Sequence, residues 1–235
     1  MKMNILAKII VLLFIIFNAK SLNIINKKFE KRDVKNFIEK EKIQSDETYK
    51  IIKNNLKYFN SELSDYELEV IYKTIKFYSM DTNYNHLKLY CSQLMLESGV
   101  RHEKNGNIIK SNTGAIGIAQ ITGTTGYYFL LRKITPNDSI LLEKINVTDF
   151  SFVYSKELNK NEKIRLVRKW LEKYENNIFM WGLINHHNFK MVNDIYKSLL
   201  IYNIGYSGMK RYIQENSMYN HEYIMLILKN VEIYC

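Results

Sequence analysis

The chain has 235 residues, 46% of them apolar and 25% charged, with nine glycines and a single proline. That length fits one domain with appendages, and the composition excludes a disordered or collagen-like chain. A lone Pro136 and so few glycines also exclude a turn-rich β-sandwich, which needs turn residues about every 8–12 positions. The formal net charge of +10 suits an anionic partner such as nucleic acid, a membrane surface or an anionic cell wall. Both signs of charge are interspersed without blocks, so a solvated basic surface accounts for the same figure.

Residues 1–21 read as a secretory signal peptide. Lys2 and Lys8 precede an unbroken apolar run, Ile9–Phe17, and Ala19-Lys20-Ser21 sets small residues where a signal peptidase reads. The run is too short to span a bilayer, which takes about 20 residues. Lys20 interrupts the cleavage pattern, so retention as a membrane anchor is the alternative to removal. The expected location is the periplasm or cell envelope, and removal would lower the charge to +7. Residues 22–62 are lysine-rich and polar with weak helical periodicity, a helical or partly ordered lead-in to a domain over 63–235.

Ser64 and Glu67 form a capping box, in which each side chain meets an orphan N–H of the first turn. Leu68, Ile71, Tyr72, Ile75 and Tyr78 follow at helical spacing. After a polar break over 81–85, a second helix carries Leu87, Tyr90, Cys91, Leu94 and Met95. It ends at Ser98-Gly99, where glycine suits a left-handed C-terminal residue. Residues 100–113 are polar and irregular or hairpin-like, and 116–121 form a short apolar segment among glycines. Further helices are predicted near 126–133, 139–146, 160–174, 188–202 and 220–232. Strand-like alternation is nearly absent, so the expected fold class is mainly α.

Six of the nine glycines, Gly99, Gly106, Gly114, Gly117, Gly123 and Gly126, fall within 28 residues. Something in that stretch needs them. The five histidines include no H-E-x-x-H and no Cys/His zinc spacing, so no metal or other cofactor is expected. Cys91 lies in an apolar run that favours a buried thiol, while a bridge to Cys235 stays open. Gly205-Tyr206-Ser207-Gly208 is no nucleophile elbow, which needs G-x-S-x-G after a strand.

Glu97 is the principal candidate for chemistry. It follows Leu94-Met95-Leu96 and sits in the last helical turn, where the macrodipole's negative end disfavours an anion. Desolvation and dipole both favour the neutral acid, as a general acid near neutral pH requires. On position alone, a glutamate turned to solvent at the helix end is the better reading, since a perturbed carboxylate marks a site only statistically.

The downstream context separates these alternatives. Glu97-Ser98 is followed by Ser111-Asn112-Thr113-Gly114-Ala115-Ile116-Gly117-Ile118-Ala119-Gln120, then by Ile201-Tyr202-Asn203-Ile204-Gly205, then by Tyr223. In this order the segments resemble the soluble-type (SLT) lytic transglycosylases, which have a lysozyme-like fold, over residues 63–234. The resemblance implies cleavage of the MurNAc-GlcNAc β-1,4 bond of peptidoglycan with formation of 1,6-anhydro-MurNAc. It implies Glu97 as the single general acid/base, where ordinary glycosidases use two carboxylates. It further implies that Ser98, Ser111, Gln120 and Asn203 contact sugar, that Tyr202 positions the Glu97 carboxyl, and that Tyr223 closes the pocket. Gly114 and Gly117 would let backbone approach the substrate, with Gly106, Gly123 and Gly126 as turn residues. Glu103 and Asp149, the nearest other acids, lie in polar loop-like stretches.

Three departures from the family pattern stand out. The 13 residues between Glu97 and Ser111 make a long loop, Thr122-Gly123 replaces Met-Pro, and residues 134–174 look enlarged, as a lid or partner surface would. The implied partners are peptidoglycan glycan strands and cell-envelope machinery, with no nucleic acid and a monomeric state. A hydrolytic muramidase of the same fold, or a non-catalytic glycan-binding component, are the alternatives.

Overall fold

The computed structural model describes residues 46–80 and 83–234, together with Ile43. The chain divides into two units, 1–46 and 47–235, and only the second is described below. Residues 1–21, read from sequence as a signal peptide, the first part of the lead-in and Cys235 lie outside the described residues. The unit is mainly α. Among the described residues, no helix is long and apolar enough to cross a membrane.

Helix α1, Glu47–Phe59, belongs to the compact unit, although the sequence places it in a lead-in. Tyr49, Ile52 and Leu56 recur on one face and are buried, and α1 packs against the next two helices. The compact unit therefore begins at Glu47 and not near residue 63. Helix α2, Asp65–Phe77, starts at the expected capping box: the Ser64 hydroxyl accepts from Glu67 N–H, and the Glu67 carboxylate accepts from Ser64 N–H. Leu68, Ile71 and Ile75 are its buried stripe. Helix α3, Tyr84–Ser98, is capped by Asn83, and it closes on Gly99 in the left-handed region at φ 66°.

Two minimal hairpins follow. Strands β1, Glu103–Lys104, and β2, Asn107–Ile108, pair antiparallel, with Asn105-Gly106 between them both at positive φ, as a tight hairpin turn requires. Strands β3, Ala115–Ile116, and β4, Ile121–Thr122, pair with Ala115 opposite Thr122 and Ile116 opposite Ile121. Helix α4, Gly123–Arg132, is capped by Thr122, whose hydroxyl accepts from Thr125 N–H. Helix α5, Asp138–Lys144, and a 3-10 turn, Ser151–Tyr154, lead to α6, Lys160–Leu171, which opens on a second capping box at Asn159 and Glu162.

Part of residues 134–174 is built into the core, and the rest is surface. Val153, Val167, Trp170 and Leu171 are buried, and α6 packs along α4. Gly123 and Gly126 explain that packing and are not turn residues. A Cβ on Gly123 would stand 2.5 Å from Arg168 Cγ, and one on Gly126 would stand 2.9 Å from Val167 Cγ1.

The helix expected near 188–202 does not exist as one element. Helix α7, Tyr174–Val192, ends at left-handed Asn193, and Asp194 caps α8, Ile195–Glu215. Helix α7 is the centre of the core: Ile178, Phe179, Met180 and Trp181 have no exposure, and neighbouring helices cover it on several sides. A helix buried all round carries no amphipathic stripe, so its period is hidden in the sequence. Helix α8 is interrupted at Gly205, where φ is 74° and ψ is 165°. A 3-10 turn, Met218–Asn220, and α9, Glu222–Tyr234, complete the unit, and α9 lies against α3.

Candidate active site

The end of α3, the β3–β4 hairpin, the start of α4 and the middle of α8 surround an open cleft of about 380 Å³. Of the sequence-predicted residues, Glu97, Ser111, Gln120, Tyr202 and Asn203 line it. Glu97 is the one carboxyl group in that lining. Its side chain is mostly buried, and burial pushes its proton affinity up to about 7 from an ordinary 4.5, against the lowering effect of a hydrogen bond from Tyr223. The Tyr223 hydroxyl donates to Glu97 Oε1 at 2.6 Å. Tyr223 itself is 8% exposed, and burial with the nearby Glu97 charge holds its phenol protonated far above neutral pH. It is therefore a permanent donor.

One turn before Glu97 on α3, Gln93 is fully buried. Its Oε1 accepts from Trp181 Nε1 at 2.8 Å and from Asn185 Nδ2 at 3.0 Å, which ties α3 to α7 beneath the acid.

Two residues sit differently from expectation. The Tyr202 hydroxyl donates to the Ala119 carbonyl at 2.6 Å, so it anchors the hairpin to α8 instead of holding the Glu97 carboxyl. Ser98 does not line the cleft. Its hydroxyl donates to Ile118 O at 2.8 Å and accepts from Arg101 N–H at 3.2 Å, clasping the helix end to the same hairpin.

The segment between β3 and β4 is held from several further directions. Asn177, fully buried on α7, donates to Ile116 O at 2.9 Å and to Leu171 O at 3.2 Å, and accepts from Ala119 N–H at 3.0 Å. His102 Nδ1 accepts from Ile118 N–H at 3.3 Å, which leaves the ring proton on Nε2 to donate to Glu172 O at 2.7 Å. The long loop after α3 thus delivers a structural histidine. A Cβ on Gly117 would stand 2.6 Å from the His102 ring and 2.7 Å from Asn177 Nδ2. Gly117 also has φ 72°, so both backbone and space demand glycine.

The rigid turn sets the polar wall of the cleft. Gln120 takes a left-handed conformation, φ 48°, and its Nε2 donates to Gly117 O at 2.7 Å. A non-glycine residue held there costs on the order of 1 kcal/mol or more, and such strain concentrates at functional sites. Ser111 Oγ accepts from Ala115 N–H at 3.0 Å and shares a 2.8 Å hydrogen bond with Thr113 Oγ1. Asn203 lies on α8 two residues before the Gly205 break and is exposed to the cleft.

Thr113, Ala115, Ile121, Thr122, Thr125 and Ile184 also line the cleft, and the sequence assigned them no contact with a ligand. Thr122 had a legible signal, as a threonine three residues before another at a helix start. Ile184 had none, since it lies in the stretch of α7 over 175–185 that is buried all round. Glu103 and Asp149 lie away from the lining. Asp149 is held below the usual carboxylate range, chiefly by hydrogen bonds from Ser151. Among the described residues, no group of three or more His, Cys, Asp or Glu side chains is placed to hold a metal ion.

Comparison of the chain with family models, curated proteins and solved structures returns no match.

Proposed function

We propose that the protein is a peptidoglycan lytic transglycosylase with a lysozyme-like domain, acting on the MurNAc-GlcNAc β-1,4 bond. One observation carries the reading: Glu97 is the sole carboxyl of the cleft lining, and its proton affinity stands near 7. A glycosidase that uses water needs a second carboxylate as base or nucleophile, so a single-acid cleft favours an intramolecular nucleophile.

In this mechanism protonated Glu97 gives its proton to the bridging oxygen as the C1–O4 bond breaks. The muramic 6-hydroxyl then attacks C1, the O6–C1 bond forms, and its proton passes to the Glu97 carboxylate. The acid is regenerated and no water is consumed. Tyr223 holds Oε1, which leaves the other carboxyl oxygen for proton transfer. Ser111, Gln120 and Asn203 supply hydroxyl and amide groups along the cleft wall for sugar substituents. The substrate places the enzyme in the periplasm or cell envelope, in keeping with the N-terminal signal pattern.

Digestion of purified sacculi, followed by mass spectrometry of the soluble products, tests this reading. Anhydro-muropeptides are expected. Reducing ends would make the protein a hydrolytic muramidase, and saturable binding without soluble fragments would make it a non-catalytic wall-binding component. Glu97→Gln is expected to abolish release.

A further inference from the structure

A second cavity, of about 370 Å³, lies between the end of α4, the loop into α5, and helices α2 and α7. We propose that it binds a small oxyanion group, a carboxylate or a phosphate, through Lys133, Lys190, His186 and His187. The four side chains come from two elements. Lys133 is the residue that closes α4, and the other three follow one another on α7 at spacings of one, three and four, which keeps them on adjoining faces.

The cavity's one carboxylate, Asp138, offsets only part of this positive charge and acts on His186. Asp138 is 3% exposed and accepts from the Tyr78 hydroxyl at 2.8 Å and from the Thr135 N–H and hydroxyl at 2.7 Å each. Its acceptor capacity is committed to α2 and to its own loop. Among the described residues, Lys190 has no ion-pair or hydrogen-bond partner, and the His187 ring nitrogens have none either. The His187 ring packs edge-on to Phe129, with centroids 5.6 Å apart. His186 Nδ1 donates to the Tyr78 carbonyl at 3.2 Å, so its Nε2 is the nitrogen left to take up a proton. Lys133 Nζ lies 5.8 Å over the Tyr128 ring, a contact that leaves its N–H donors to a better acceptor.

Two ammonium groups and two imidazoles outnumber the one buried carboxylate, whose acceptor sites are committed to Tyr78 and Thr135, and form a donor set that suits an oxyanion. Phe77, Tyr78 and Leu183 form the apolar part of the cavity wall. Both imidazoles are harder to protonate than usual, first through burial, then through Lys190 at His186 and Lys133 at His187. The ionisable groups facing them are Lys133 after α4, Asp138 from α5, Tyr78 after α2 and Lys190 from α7, with His86 and Tyr90 of α3 lining a small adjoining cavity beside His186. A bound dianion favours the imidazolium forms, so its affinity should rise as pH falls.

The test is an NMR titration of the histidine ring signals with sulfate, a dianion across the whole range, assigned through His186→Gln and His187→Gln. Saturable shifts of both rings are expected, tighter at pH 6 than at pH 7.5. The Lys133→Gln/Lys190→Gln double variant should weaken binding roughly tenfold or more while keeping the wild-type fold by circular dichroism. Displacement of sulfate by peptide-bearing but not peptide-stripped glycan would assign the site to a polymer-borne carboxylate. Displacement by inorganic phosphate alone would assign it to a free ion, and either supports the site. Shifts that grow linearly with salt, or that persist unchanged in the double variant, overturn it. Binding is read at the two imidazoles, so the result stands whether or not the first cleft cleaves a glycan.

Discussion

Tyr223, at the start of α9, donates its hydroxyl to Glu97 Oε1 at 2.6 Å, joining residues 126 positions apart in the chain. Two effects therefore oppose each other at the acid. Burial favours the neutral carboxyl, and the tyrosine favours the carboxylate. Burial wins, because the proton affinity settles near 7.

Tyr223→Phe removes the weaker effect and should raise the Glu97 proton affinity further. A hydrogen bond to a charged group is worth about 1.5–3 kcal/mol, so the shift should be about one pH unit or more. In wild type, sacculus solubilisation should hold at low pH and decline through about pH 7 as Glu97 loses its proton. In the variant the declining limb should move to higher pH, with a reduced plateau. A limb that stays in place would show that Tyr223 does not set the acid's protonation.

The same raised affinity makes stability depend on pH. The folded protein holds the Glu97 proton up to about pH 7, while the unfolded chain releases it near 4.5. The folded state binds more protons between those values, so stability falls as pH rises through that window. The loss is on the order of 2–3 kcal/mol, an upper figure because the carboxyl is not fully enclosed. Glu97→Gln should flatten this dependence and leave the variant more stable than wild type above pH 7, while cleavage is lost. Urea denaturation at pH 5 and pH 8 measures both arms.

Tyr202→Phe should behave differently from Tyr223→Phe, although both remove a buried phenol oxygen. The Tyr202 hydroxyl serves the Ala119 carbonyl, so its loss should destabilise the protein by about 1–2 kcal/mol and loosen the β3–β4 hairpin. The pH of the declining limb should not move. Thermal unfolding and the pH profile together check this, and a shifted limb would restore a direct role beside the acid.

Gly117→Ala tests the hairpin itself. The new Cβ would meet the His102 ring and the Asn177 amide, each already committed to hairpin backbone groups, at φ 72°. A cost of about 2–4 kcal/mol is expected from overpacking with backbone strain. Asn177→Ala, which leaves Ile116 O and Ala119 N–H unsatisfied, should cost a similar amount. Hydrogen exchange at Ile118 and Ala119 should accelerate in both variants.

The parts of the site legible in the sequence are those governed by local chemistry. Gly99 marks a helix end because only a left-handed residue closes α3 there, and that places Glu97 in the last turn. The cleft segments Ser111–Gln120 and Tyr202–Asn203 were visible as motifs, and they meet across the fold. The bonding of Tyr202 and Ser98 was not visible, because which buried acceptor a hydroxyl finds depends on elements far away in the chain. Asn177 and His102 look like ordinary polar residues until α7 and the long loop converge on the hairpin. Helix α7 was misplaced because burial on all sides erases the period from which a helix is read.

Composition, caps and spacing by themselves determined a mainly α chain with capped helices, an acid at the end of one of them, and a glycine-rich segment beside it. These follow from backbone geometry and local hydrogen bonding, which a few neighbouring residues dictate. Only the tertiary structure decided that Glu97 is enclosed enough to keep its proton near pH 7 and that Tyr223 is its partner. It also decided that Gly123 and Gly126 serve helix packing, and that four basic side chains line a second cavity. Desolvation and long-range hydrogen bonds depend on how much of the chain surrounds a group, which is set only when distant helices pack together.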